Sequence, residues 1–264
     1  LCVAVGQLLV GVACSSQSFY HSRVGSYGAN DPAVFCFNEN PSCLATTKNV
    51  SIGLYGEKQF LLQELGNYSA AASFPTSNGA FGISMKYEGS NYFHRSSVAL
   101  AYGRSFGERI RSGLQFCYDA LAFSGLYGKT GVLYPKAGFI IKLSPKICSG
   151  MSVSDPMGAR FGKEKQEKNA AVYTLGLGYL PSEKIYLELL IKKEENKPVS
   201  FITAFQYKII PSLLISTGFD AANSCIWLGV GFIKGKCRVD ISLSSYQQIG
   251  ITPGTLLEFT SSQH

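Results

Sequence analysis

Residues 111–120 read Arg-Ser-Gly-Leu-Gln-Phe-Cys-Tyr-Asp-Ala, and this stretch decides the fold. Leu114, Phe116 and Tyr118 fall on one parity; Arg111, Gly113, Gln115, Cys117 and Asp119 fall on the other. Only an extended chain sends alternate residues to opposite faces, so this is a strand with one greasy side. The pattern recurs downstream. Ile185, Leu187, Leu189 and Ile191 oppose Tyr186, Glu188 and Leu190; Val199, Phe201, Phe205 and Tyr207 oppose Ser200, Ala204, Gln206 and Lys208. Ile226, Leu228, Val230 and Phe232 alternate with Gly229 and Gly231, and Val239, Ile241 and Leu243 with Arg238, Asp240 and Ser242.

Between the strands lie two kinds of connection. Tight Pro-, Gly- and Ser-rich turns occur at Pro75–Asn78, Phe106–Glu108, Ser144–Lys146, Pro181–Glu183, Ile210–Ser212 and Lys234–Lys236. Other connections, several of them longer and more polar, fall near Glu57–Leu65, Glu88–Phe93, Ala122–Thr130, Asp155–Lys168, Glu194–Lys197, Asp220–Ser224 and Gln247–Thr252. Short turns alternating with longer loops describe an outer-membrane barrel, with the short turns in the periplasm. The segments number about fourteen, of roughly ten residues each, the length a tilted strand needs to cross a bilayer. The fold class is therefore all-β, a transmembrane antiparallel barrel; a short N-terminal plug is what a family resemblance adds to it. Closure satisfies every backbone group in a medium without water. A soluble sandwich is disfavoured, because this many strands exceed one ordinary sandwich and the polar face carries many Gly, Ala and Ser suited to a narrow bore.

Composition agrees. Of 264 residues only 16% are charged, while Gly (28), Phe (17) and Tyr (15) are abundant, a mixture poor for helices and good for strands and turns. The net charge of +7 is scattered, so no nucleic-acid partner is expected. Aromatic residues near strand ends (Tyr87, Tyr92, Phe93, Tyr102, Phe106, Phe123, Tyr127, Tyr134 and Tyr246) read as interfacial girdles.

Uncharged Leu1–Ala13 has the length of a signal-peptide core, and residues 1–17 read as a signal peptide truncated at its start. Residues 18–48 lack a clean period and read as the plug, 49–260 as the barrel and 261–264 as a tail. Of the eight cysteines, Cys36 and Cys43 lie close together. Small buried thiols are the preferred reading, with a bridge between them as the alternative in an oxidising compartment. No CxxC pair occurs and histidine is limited to His21, His94 and His264, so no metal site, cofactor or catalytic residue is assigned and an enzyme is not expected.

Within the plug, Gly25, Gly28, Asp31, Ala33, Phe35, Asn40-Pro41-Ser42 and Leu44 come in an order that resembles the FadL-like outer-membrane barrels, and within them the PorV/PorQ-like branch of Bacteroidota. Ser42 stands where that family carries Ala. The resemblance implies a fourteen-stranded barrel whose plug motif is Asp31, Phe35, Asn40, Pro41 and Leu44. The stretch Gly254-Thr255-Leu256-Leu257-Glu258-Phe259 resembles the terminal-strand signal read by the barrel-assembly machinery, carried by Gly254, Leu257 and Phe259.

Lys86, Arg111, Asp119, Glu188, Lys208, Arg238 and Asp240 are expected to face the bore, pairing across it or anchoring the plug. The loop Asp155–Lys168 reads as solvated, with a partner-docking surface as the alternative. Two functions follow. The first is a non-catalytic accessory subunit of an outer-membrane secretion or barrel-assembly complex, favoured because a short chain leaves little loop mass for a gate. The alternative is a FadL-like passive transporter of hydrophobic or small solutes, with a strand kink at Pro135 or Gly138 opening the wall. Expected partners are outer-membrane lipid, the barrel-assembly machinery during biogenesis and other outer-membrane or secretion-system proteins.

Overall fold

The computed structural model describes residues 24–28, 33–62, 65–90, 93–123, 129–161, 167–247 and 249–261. The expected signal peptide 1–17, Asp31, His21, His264, Tyr92, Tyr127 and most of the tail lie outside them. Strands run β1 (Val50–Lys58), β2 (Gly66–Thr76), β3 (Gly79–Gly89), β4 (Phe93–Phe106), β5 (Ile110–Phe123), β6 (Lys129–Lys142) and β7 (Ile147–Ser154). A two-residue pair, β8 (Arg160–Phe161) and β9 (Glu167–Lys168), interrupts the series. It resumes with β10 (Val172–Ser182), β11 (Ile185–Glu194), β12 (Ser200–Ile210), β13 (Leu213–Asp220), β14 (Cys225–Lys234), β15 (Cys237–Tyr246) and β16 (Gly250–Ser261). Each barrel strand pairs antiparallel with its neighbours in sequence, β7 with β10 across the small hairpin. β16 pairs with β1 from Val50↔Ser261 to Glu57↔Gly254, which closes a wall of fourteen strands.

The six tight turns read from the sequence all join strands at the end where β1 begins and β16 finishes, while the opposite end carries the other connections, some as short as residues 247–249. Facing follows the alternation. Leu114, Phe116, Ile226, Ile241, Leu187 and Phe201 are exposed on the outside, while Arg111, Gln115, Asp119, Glu188 and Asp240 are buried within. An apolar exterior on a closed sheet is stable only against hydrocarbon, and the chain is an outer-membrane barrel.

Two expectations need correction. Tyr134 is not a girdle residue. It shares parity with Lys136 and Gly138 on the inner face of β6, and its hydroxyl donates to Asp119 Oδ2 at 3.0 Å. Tyr246 likewise packs inside the rim, edge-on to Phe60 at 5.4 Å. Aromatics at strand ends serve either face, and only parity separates them. Cys36 and Cys43 form a disulfide rather than a pair of thiols.

Pro135 and Gly138 do not break the wall on the β5 side, whereas on the other side the β6–β7 ladder ends at Lys136↔Ser154. The β5–β6 ladder runs from Ile110↔Ile141 to Ala122↔Lys129 without a register shift. The Pro135 carbonyl accepts from Asp155 N at 2.9 Å. The shifts that do occur lie near short turns, between Tyr179 and Ser182 and between Lys208 and Ile210.

Candidate functional site

The plug is built on two short 3-10 segments, Cys36–Asn38 and Pro41–Thr46. Asn40 caps the second: its Oδ1 accepts from Ser42 N at 3.1 Å and Ser42 Oγ at 2.6 Å, and Pro41 fills the first position, where no N–H is needed. The Cys36–Cys43 disulfide ties the two turns together. Val34, Phe35, Phe37 and Leu44 bury against Tyr55, Ala71, Ala80, Ala101 and Leu256 of the wall.

What seats the plug is a row of small residues that registers across the strands. Gly103 of β4 pairs with Gly113 of β5, Gly113 with Gly138 of β6, Gly138 with Ser152 of β7, and Ser152 with Thr174 of β10. The plug backbone lies along this row almost residue for residue. A Cβ on Gly103 would come within 2.8 Å of the Pro41 carbonyl oxygen, and one on Gly113 within 2.5 Å of Ser42 N; one on Gly138 would strike Asn40 Oδ1. Farther along, Ser152 Oγ donates to the Glu39 carbonyl at 3.0 Å. Tyr27 presses its ring on Gly176, and burial pushes its phenol well above the ordinary range, so it remains neutral. Side chains at these wall positions would exclude the plug backbone.

Charged residues on the bore face divide into two groups. Some hold plug backbone. Glu188 accepts from Gly25 N at 3.1 Å, Tyr27 N at 3.0 Å and Tyr186 Oη at 2.9 Å. Arg111 donates to the Gly28 carbonyl at 3.0 Å, Lys136 to the Asn38 carbonyl at 2.5 Å, and Glu258 accepts from Val34 N at 3.1 Å. Others pair within the wall: Arg95 with Asp119, Lys86 with Glu88, and Arg238 with Asp240 at 2.6 Å. Lys208 has bore-side parity but stands exposed at the short-turn end of β12. Of the terminal-strand residues, Gly254 faces the bore beside Tyr55 and Ser242, while Leu257 and Phe259 face outward. Phe35, Asn40 and Leu44 are fully buried in the plug.

Opposite the glycine row the bore changes character. Leu190 of β11, Ile202 and Ala204 of β12 and Trp227 of β14 face inward together and form one apolar patch. With Val24, Glu39 and Glu188 they line a cavity of about 10 Å³, room for about one water. This apolar patch was not foreseen. Its signals were present: Leu190 joins its neighbours in an unbroken Leu189-Leu190-Ile191 run, and Ile202 and Trp227 sit on the polar parity.

No family model matches the chain, and no curated protein matches its sequence. Solved structures do match its fold. The toluene transporter TbuX of Ralstonia pickettii superposes with a TM-score of 0.66 at 10% identity, over 92% of this chain and 97% of that one. A monoaromatic hydrocarbon channel, CymD, gives 0.68 at 12% identity over the same shares. The toluene transporter TodX of Pseudomonas putida gives 0.61 at 9%, over 90% and 95%. The chain thus has the FadL-like outer-membrane barrel fold. The narrower PorV/PorQ-like resemblance gains no support from these structures.

Proposed function

We propose that this barrel is a passive outer-membrane channel for small hydrophobic solutes. The inward apolar patch of Leu190, Ile202, Ala204 and Trp227 carries the reading, because it leaves a small void against Val24, and an apolar pocket with a carboxylate at its edge is the common form of a site for a hydrophobic solute. The fold shared with two toluene transporters and a monoaromatic hydrocarbon channel supports the same class. The accessory-subunit reading drew on the short loops and a filled bore, and the patch speaks for the transporter instead. Because the cavity is small with the plug seated, entry of a solute requires the Val24 segment to shift away from Trp227.

The test uses the chain's single tryptophan, Trp227. Toluene titrated into the detergent-solubilised barrel is expected to change its emission saturably, while glucose leaves it unchanged. In an outer membrane lacking other hydrocarbon channels, expression is expected to speed toluene entry severalfold. No saturable change together with no gain in entry, and recovery of the barrel in a stable multi-protein complex, overturns the channel and returns the accessory role.

A further inference from the structure

We propose that the short-turn rim carries a ring of cations that binds the anionic headgroups of the phospholipid leaflet it meets. Arg104, Arg109, Lys146, Lys184, Lys234 and Lys236 are all exposed, and they spread over four of the short-turn connections, from β4–β5 around to β14–β15. The acids at that rim are Glu108 and Glu183, each beside a cation of its own turn. None of the six cations forms an ion pair with a described residue. At the loop end, by contrast, two of the exposed cations are held in ion pairs, Lys168 with Glu195 at 2.5 Å and Lys197 with Glu194 at 3.0 Å.

Two features point to lipid rather than to a protein. The charge is distributed around the circumference, which suits an annulus of headgroups better than a partner docked on one side. Large apolar side chains are interleaved with it: Phe106, Leu143 and Ile210 are each more than half exposed. Arg104 lies over Phe106, 5.7 Å from the ring centre, with its guanidinium where the apolar exterior ends. A greasy anchor beside a cation is the chemistry of a bilayer interface, and each such cation attracts an anionic surface measurably.

The full-length barrel, reconstituted in phosphatidylcholine, can be probed by electron spin resonance with trace spin-labelled phosphatidylglycerol or phosphatidylcholine. The motionally restricted fraction is expected to favour phosphatidylglycerol by about fivefold at low salt. At 1 M NaCl, where charges are screened beyond about 3 Å, the preference should fall to near parity. A variant combining Arg109→Gln, Lys146→Gln, Lys184→Gln and Lys236→Gln should show near parity at low salt, its folding checked by heat-modifiable gel migration. The salt series on the native barrel stands without the variant. Parity in the native protein at low salt, or a preference kept by the folded variant, overturns the proposal. So does saturable binding of soluble polyglutamate to a native barrel that shows no lipid preference, which assigns the ring to an acidic protein partner.

Discussion

The plug meets two unlike walls. Along β4–β7 it lies directly on Gly103, Gly113, Gly138 and Ser152, touching the first two with its backbone, Gly138 with the Asn40 and Pro41 side chains and Ser152 through the serine hydroxyl. Along β11–β14 it meets Leu190, Ile202, Ala204 and Trp227 and leaves a void. The first wall is a seat whose shape is fixed by absent side chains, and the second is a pocket whose shape is set by present ones. Close-packed surfaces of the first kind tolerate no added atoms, while a void accepts them. Under the proposed channel function a solute would use the second wall, while the first keeps the plug in place.

The sharpest way to break this contrast is to add the same side chain to each wall. Gly113→Leu drives carbon into the Pro41–Ser42 backbone, which the disulfide and the Asn40 cap leave little freedom to retreat. The plug is expected to leave its seat, and single-channel conductance in planar bilayers to rise by roughly tenfold or more, as befits a lost steric block. Ala204→Leu, on the pocket side, should keep the bore closed to ions and abolish the toluene response of Trp227. Equal conductance in the two variants would mean that the walls do not differ.

A second pair tests the wall itself. Leu187 faces lipid and Glu188 faces the plug, one residue apart. Leu187→Arg, two residues inside β11 from the short-turn end, is expected to lower the stability of the inserted barrel by about 2 kcal/mol, less than a site at the bilayer centre, measured by urea unfolding in lipid vesicles. Glu188→Arg should disturb plug protection more than barrel stability. Comparable loss of barrel stability at both positions contradicts the assigned facing.

These contrasts show how much the sequence disclosed. Strand facing and both classes of turn were legible, because alternation and Pro-Gly-Asn chemistry are local. That Asn40-Pro41 belongs to a plug was legible through resemblance, and its geometry gives the reason: a side-chain cap followed by a residue without an N–H. The glycine row was legible only as small residues on the bore face. Its meaning depends on register, since Gly103, Gly113 and Gly138 become a continuous surface only when the three strands pair as they do. The pocket hid for the opposite reason. Leu190, Ile202 and Trp227 break the polar parity one at a time, and each alone passes for ordinary variation. The disulfide was undecidable from spacing, because six residues lie between its cysteines whether or not the intervening turn brings them together.

The bridge offers a third test, confined to the plug. Cys36→Ser with Cys43→Ser removes a short closed loop and is expected to cost the plug about 2–3 kcal/mol, leaving barrel unfolding unchanged. Limited proteolysis should then cut near residues 36–44 while the barrel stays whole. Because the seat stays intact, the toluene response of Trp227 should persist, somewhat weakened. Simultaneous loss of the barrel would show that the plug supports the wall, rather than the wall the plug.

The smallest effect should come from Glu188→Gln. The amide keeps the carboxylate's shape but offers one acceptor oxygen where Gly25 N, Tyr27 N and Tyr186 Oη now converge on two. Charge-assisted bonds become neutral ones, and one backbone N–H is left facing an amine. The expected loss is about 1–2 kcal/mol, localised to the plug's first turn. Amide hydrogen exchange at Gly25 and Tyr27 should quicken by about tenfold, while amides of Pro41–Thr46 neighbours, seated on the glycine row, stay protected. Gly25 and Tyr27 lie next to Val24, which lines the pocket, so under the proposed channel function this is the part of the plug that moves when a solute enters. The same substitution should therefore tighten the toluene response slightly, because a looser Val24 lowers the cost of opening. Faster exchange spread evenly over both plug segments would mean that the plug moves as one body, and the distinction between a seated wall and a yielding one would have to be abandoned.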